Sequence, residues 1–324
     1  MTLWLFQHVA CFSEPYVRVF VAQRASAAYV FHLLCAVAVV LIPLWLAFAS
    51  DNFWVKSGLY HEQPRVHFAH EVFVVAAATG PGDAVGWTSR AGLEALLPSA
   101  VRVPVVRSLP LDSNRDGVAD ALQLVVEMPK ENSTAGFRQL ILLAVYSVEF
   151  RERVRQRFSA LAALDASCPF VASGVWVRGQ FRFRQGGPLR LSTEVRDVYA
   201  VSPFEVRWSS NWLTRNTPLT LRALLGRYAE RNETMVLDLS APPMCDYAPR
   251  DAFRAEVTLD IPPQPVHYVP GSIEVLKFAW VQVLSLSVPV WLALHAVKSF
   301  AFNHQIVETF VVHGLPSQPM AAGT

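Results

Sequence analysis

Two uncharged apolar runs, Ala27–Ala49 and Phe278–Val297, stand out from an otherwise mixed pattern. They hold 23 and 20 residues, about 34 Å and about 30 Å of helix, enough to cross a hydrocarbon core of about 30 Å. Residues 50–277 contain no third run of this kind. The pattern predicts a two-pass membrane protein, with transmembrane helices at 27–49 and 278–297 and residues 50–277 displayed on one side of the bilayer. Residues 1–26 and 298–324 form tails on the other side.

Residues 50–277 read as strands punctuated by turns. Pro64–Val75 alternates at Val66 and Phe68 and then becomes Val-rich. Val101–Val106 and Leu122–Val126 flank a polar turn. Gln139–Val148 is a continuous apolar run short enough for a buried strand. Val175–Arg184 alternates Phe181 and Phe183 against Arg182 and Arg184, and Val257–Ile261 precedes Pro262-Pro263. One helix is expected, with Thr217 as cap and Pro218 in the first helical place, running to about Glu230. Phe150–Leu164 is ambiguous between helix and strand, and the favoured reading is a strand extending the 139–148 run. Many short strands with Pro and Gly turns point to a large all-β, sandwich-like domain containing about one helix.

Basic residues do not set the orientation. Arg18, Arg24 and Lys298 on the tails balance Lys56, Arg65 and Lys277 on the loop side. Two Asn-x-Ser/Thr acceptors, Asn132 and Asn232, lie in the large loop. So do Cys168 and Cys245, which can form one disulfide in an oxidising compartment or remain two buried thiols. These features favour cytosolic termini and a lumenal or extracellular domain. The first run is long and begins well into the chain, as an uncleaved signal anchor does. Aromatics (Trp45, Phe48, Phe53, Trp54, Trp280) cluster at the outer ends of the spans, while His32 and His295 at the inner ends read as interfacial anchors. Pro43 and Pro289 each remove a backbone donor within a span.

Composition narrows the function. Hydrophobic residues make up 52% of the chain and the formal net charge is only +2, which gives no basis for a nucleic-acid partner. Catalytic signatures for serine hydrolases, zinc peptidases, phosphate-binding loops and dinucleotide folds are absent, so neither enzymatic chemistry nor a small-molecule substrate is indicated.

The sharpest local motif is Asp112-Ser-Asn114-Arg-Asp116-Gly117-Val-Ala-Asp120. Oxygen ligands at alternate places followed by a glycine resemble a calcium-binding loop, although Gln123 stands where such a loop has its bidentate Glu. The competing reading is a polar hairpin turn whose Asp and Asn side chains cap their own backbone. His61, Glu62, His67, His70 and Glu71 look like a zinc cluster, but strand parity turns His67 and His70 to opposite faces. Arg151–Arg157 with Arg178, Arg182 and Arg184 form either a basic docking face for an acidic partner or a solvated surface. Leu3–Phe12 is apolar but too short to span. Ile306–Val312 is suited to add as a strand to a cytosolic partner.

Several segments together resemble the transmembrane protein 231 family of the ciliary transition zone. They are Phe53-Trp54-Val55-Lys56, Glu62-Gln63-Pro64-x-Val66-x-Phe68, Arg102-Val103-Pro104, the Asp112–Asp120 loop and Gln139-Leu140-Ile141-Leu142. Ser202-Pro203-Phe204, Glu230-Arg231-Asn232-x-Thr234 and Lys277-Phe278-Ala279-Trp280-Val281-Gln282 follow in the same order. The resemblance implies a non-enzymatic glycoprotein subunit of a tectonic-like membrane complex. It would work with tectonics, meckelin and cytosolic transition-zone proteins in a diffusion barrier that controls membrane-protein entry into the cilium and supports ciliogenesis. It supports glycosylation at Asn232 more than at Asn132, and it does not extend over Glu205–Arg227 or the end of the C-terminal tail. Phe53, Trp54, Lys56, Lys277, Trp280 and Pro289 are the expected packing and anchoring positions in the bilayer. The same topology also suits an accessory glycoprotein subunit of a lipid-flipping pump or a two-span trimeric channel.

Overall fold

The computed structural model describes residues 18–23, 26–50, 53–78, 83–130, 136–205 and 219–313. Along the chain run β1 (Arg18–Val21), α1 (Ala27–Ala49), β2 (Gly58–Glu62), β3 (Arg65–Ala77), β4 (Ala84–Thr88), β5 (Ala100–Val101) and β6 (Val105–Leu111). Next come β7 (Ala121–Pro129), β8 (Phe137–Phe150), β9 (Gln156–Ala172), β10 (Gly174–Gln185), β11 (Leu189–Arg190) and β12 (Arg196–Asp197). The chain closes with α2 (Leu221–Ala229), β13 (Glu233–Leu239), β14 (Met244–Asp246), β15 (Ala252–Asp260), β16 (Gln264–Val269), α3 (Ser272–Asn303) and β17 (Phe310–His313). Two long apolar helices thus flank a large β-rich domain with one short helix. The helices and tails form one compact unit, and Lys56–Gly271 forms another.

In the first unit α1 and α3 pack antiparallel along small residues. Ala28, Cys35, Pro43 and Ala47 are buried on α1, and Ala279 and Ala301 on α3. Without a hydrophobic drive between helices in lipid, small side chains let the backbones approach closely and gain dispersion contacts. Ser26 caps α1, its Oγ accepting from Tyr29 N–H at 3.3 Å. The second helix is longer than its apolar run. It starts at Ser272 and ends at Asn303, so Lys277 lies inside α3 instead of ahead of it. Charged residues are tolerated in those terminal turns because they project beyond the hydrocarbon. Beyond the helices, β1 and β17 pair antiparallel, Arg18 opposite His313 and Val21 opposite Phe310. The C-terminal strand therefore uses the chain's own N-terminal segment, where the sequence pattern pointed to a cytosolic partner. Leu3–Phe12 lies outside the described residues.

The second unit is built on two six-stranded sheets. One runs β12-β9-β8-β3-β4-β5, and the other runs β13-β10-β15-β7-β6 with β14 also paired to β10. A three-stranded sheet, β11-β16-β2, adjoins them. The inward residues of both large sheets form one core. Leu140, Leu142, Ala144, Tyr146 and Val148 of β8 meet Val175, Val177 and Phe181 of β10 and Ala255, Val257 and Leu259 of β15. The other face of the β8 sheet is covered as well. Phe73, Leu143, Val145 and Leu161 pack under Leu93, Phe204, Leu224 and Tyr228. Burial on both faces explains the unbroken apolar run at 139–148, whereas β15 is buried at every second residue.

Two expectations are corrected. Phe150–Leu164 is not one strand continuing β8: the chain turns back at Arg151–Arg155, and β9 returns antiparallel, with Phe150 opposite Gln156. The helix is capped by Thr220, whose Oγ1 accepts from Ala223 N–H at 3.2 Å, while Thr217 and Pro218 lie outside the described residues. Leu221, Leu224, Leu225 and Tyr228 form the stripe that α2 turns to the β8 sheet.

Candidate functional site

The Asp112–Asp120 loop joins β6 to β7 as a hairpin. Asp112 accepts from the backbone N–H of Arg115 (2.6 Å) and Gly117 (3.0 Å). Asn114 Oδ1 accepts from Asp116 N–H (3.1 Å), and Asp116 accepts from Val118 N–H (2.7 Å) and from Asn114 Nδ2 (2.9 Å). Asp120 accepts from Ser113 N–H at 2.9 Å and from Gln63 Nε2 at 3.2 Å. The Ser113 bond, first among these, holds the Asp120 carboxyl below the usual carboxylate range. Arg115 and Gly117 take positive φ, 60° and 82°, which the tight turn demands and glycine meets without strain. Each carboxylate accepts from the loop's own donors, Asp120 from Gln63 as well, and Gln123 bonds Glu256 at 2.5 Å. Among the described residues no three His, Cys, Asp or Glu side chains converge to hold a metal ion. In this arrangement the side-chain oxygens serve as caps of the turn's own backbone.

The histidine-rich segment is dispersed too. His61 is on β2 and His67 on β3. His70 sits at φ 59° in a bulge that shifts the register between Phe68 and Glu71. The acidic residues of the segment have structural partners. Glu62, on β2, accepts from the N–H groups of Arg151 (2.5 Å) and Glu152 (3.0 Å) and from the Tyr60 hydroxyl (3.0 Å). That hydroxyl in turn accepts from Val154 N–H at 3.1 Å. The β8–β9 turn is thereby tied to the small sheet. Burial pushes the Glu62 carboxyl above its ordinary range despite three donors, and burial also raises the Tyr60 phenol. Glu71 instead bonds Arg90 at 3.2 Å and accepts from the Ser202 hydroxyl.

Four of the arginines pair with carboxylates, while Arg155 donates to the Thr193 carbonyl at 2.6 Å and Arg184 is exposed. Arg151 and Arg157 both reach Glu149, at 2.7 and 3.5 Å. Arg178 pairs with Asp260 at 2.9 Å, and Arg182 with Asp238 at 3.2 Å. Arg153 lies over the Tyr268 ring at 5.0 Å and donates to its hydroxyl. The outer face of the β10 sheet thus carries two arginine–aspartate ion pairs, Arg178–Asp260 and Arg182–Asp238.

Cys168 on β9 and Cys245 on β14 form a disulfide, with Cα atoms 6.0 Å apart, that joins the two large sheets across a sequence separation of 77 residues. Closing a loop of that length removes about 4 kcal/mol of unfolded-state entropy in the chain-entropy account. Asn232 is exposed where α2 turns into β13, so a glycan there meets solvent, while Thr234 beside it is buried. Asn132 lies outside the described residues.

Sequence reasoning missed the most organised polar feature of the domain. Arg231 donates to the carbonyls of Ser159 (3.0 Å) and Val201 (3.3 Å), and its guanidinium lies 5.0 Å from the Tyr199 ring and 5.5 Å from the Tyr228 ring. The Tyr228 hydroxyl bridges N–H and C=O of Met235, both at 2.9 Å. Together these fix one wall of a cleft of about 430 Å³, which Ser202, Glu205 and Arg227 also line. No periodicity marks such a residue, because its partners come from β9, the 199–205 loop and α2.

Of the anchoring positions, Trp54, Lys56, Lys277, Trp280 and Pro289 are exposed, and Phe53 is half-buried with its ring 6.3 Å from Phe48 and 5.0 Å from Trp54. Leu41, Ile42, Leu44, Trp45, Phe48 and Phe53 line an apolar hollow of about 640 Å³ beside α1. Such an apolar helix surface suits lipid or another helix.

A family model described as transmembrane protein 231 matches residues 6–311. Relatives of that name include proteins from Pongo abelii, 31% identical, and Homo sapiens, 30% identical. Each alignment covers 94% of this chain and 95% of the relative. The Bos taurus protein is 29% identical over the same shares. A solved proton-activated chloride channel overlays 85% of this chain and 97% of its own at 8% identity, but its TM-score of 0.23 carries no argument. With a match that runs through both long helices and the whole β-rich domain, the chain belongs to the transmembrane protein 231 family.

Proposed function

We propose that this chain is a non-catalytic membrane subunit of the ciliary transition zone, part of a tectonic-like complex that limits membrane-protein entry into the cilium. The observation that carries the reading is family membership across nearly the full chain, residues 6–311. The architecture agrees with it. Two helices present apolar outer faces to lipid or to other spans, and charged groups of the β-domain lie in ion pairs and backbone caps. The disulfide and exposed Asn232 suit a lumenal or extracellular domain, with both termini cytosolic. The partners in this reading are membrane subunits such as tectonics and meckelin, together with cytosolic transition-zone proteins. The test is microscopy of the tagged full chain against a basal-body marker. Signal concentrated at the cilium base is expected, and even labelling of the plasma membrane overturns the proposal.

A further inference from the structure

We propose that the crevice between α1 and α3 at their tail-side ends binds the phosphate of an anionic phospholipid headgroup that carries no ammonium group. The crevice has a volume of about 110 Å³ and is lined by His32, Cys35 and Ala36 of α1 and by Trp291, His295 and Lys298 of α3. On α3 these lie at i, i+4 and i+7, one face of the helix. On α1, small Cys35 and Ala36 leave the gap that larger side chains would fill. Three nitrogen-bearing basic side chains therefore meet in one hollow at the end of an apolar helix pair.

The charge balance selects the ligand. Lys298 immediately follows the apolar run and is half-buried. Among the described residues no carboxylate lies within ion-pair distance of it. α1 carries no acidic residue, and the acid on α3, Glu274, stands in its first turn at the opposite end. An ammonium at the bilayer boundary attracts phosphate as a point charge, and imidazole N–H groups add directed hydrogen bonds. With no carboxylate in the lining, nothing balances a choline or ethanolamine group, which favours phosphatidylinositol or phosphatidic acid over phosphatidylcholine. The volume admits a headgroup phosphate but not acyl chains, which would lie along the exposed Val288, Trp291 and Leu292. The indole of Trp291, 5.5 Å from His295, sits at the level where amphipathic rings meet lipid ester groups. This inference uses the two spans but not the ciliary assignment, so either can fail alone.

The experiment is native mass spectrometry of the full chain in detergent micelles doped with phosphatidylinositol or with phosphatidylcholine. Retention of one phosphatidylinositol per chain is expected, falling about tenfold in Lys298→Gln, a loss of about 1.4 kcal/mol. It should stay unchanged in the charge-matched control Lys130→Gln. Ala36→Leu keeps every basic group but fills the hollow, and it should lose retention as well, which covers the case in which Lys298→Gln does not fold. Equal retention of phosphatidylcholine overturns the proposal, as does retention unaffected by both crevice variants. A thermal shift with inorganic phosphate, with no lipid retained, would assign the hollow to soluble phosphate and overturn the lipid source.

Discussion

The sheet built on β8 is covered on both faces, by the β10 sheet on one side and by α2 with the Leu93 and Phe204 segments on the other. The β10 sheet has the same number of strands but one covered face. Its other face carries Arg178, Arg182, Asp238 and Asp260 in ion pairs. One domain therefore uses two burial rules side by side. In the first sheet an outward position is a second core position. In the second it is a place where charge is matched with charge. The difference teaches that a strand's tolerance depends on what covers its far face, not on its place in the middle of a sheet.

Matched lysine substitutions give the largest test. Leu143 on β8 is 1% exposed and points away from the sandwich core. Leu143→Lys buries an unpaired ammonium and should destabilise the fold by at least about 4 kcal/mol. Thr258, at a solvent-side position of β15, is half-exposed, and Thr258→Lys should stay within about 0.5 kcal/mol. Thermal melts of the full chain in detergent compare the two. Similar melting temperatures would break the two-rule picture.

This contrast also accounts for what was legible in the sequence. Both spans were visible because length and lack of charge suffice to mark them. The Asp112–Asp120 hairpin was visible because its Asp, Asn and Gly chemistry is local. Strand β8 was visible, but nothing local separates a strand buried on two faces from one in a single core. Phe150–Leu164 misled because Arg151–Arg155 is a turn held by Glu62, 89 residues away in sequence from Arg151. The parallel pairing of β10 with β15 and the seat of Arg231 depend likewise on distant partners. Glu62 was read with its histidine neighbours because spacing shows proximity along the chain and not direction in space.

The disulfide links the two sheets, so removing it asks whether they hold together without a covalent tie. The double variant Cys168→Ser, Cys245→Ser should lower stability by about 4 kcal/mol, read as a lower melting temperature than the wild type under non-reducing conditions. A melt unchanged by the substitution, and unchanged by reductant, would mean that the shared core alone fixes the pair.

Two glutamates at the β8–β9 turn separate burial from ion pairing through pH. Burial raises Glu62, so the folded state binds its proton more tightly than the unfolded chain does. Its stabilising contribution is present below the unfolded carboxyl range and is lost as pH rises through the folded value. Glu149 is lowered, chiefly by its bond to Arg151. Its contribution is present above the unfolded range and is lost as pH falls through the folded value. Glu62→Gln should therefore flatten the loss of stability on raising pH from about 4.5. Glu149→Gln should flatten the loss on acidification below about 4.5. Melting temperature followed from pH 3 to pH 7 distinguishes them, and the same sign in both variants would refute the assignment.

The smallest effect belongs to the exposed face of the β10 sheet. Arg178 bonds Asp260 through Nε and Nη2, at 2.9 and 3.1 Å, but its side chain is 54% exposed. Water and salt screen such a pair, and ordering a long side chain offsets part of the Coulomb gain. Arg178→Ala should leave the melting temperature almost unchanged, and added salt should shrink any difference. A large drop in melting temperature, insensitive to salt, would mean that this face is covered in the assembled protein and that the second sheet follows the same rule as the first. The two ion pairs would then be part of an interface, and their arginines would be the first residues to mutate in search of the partner.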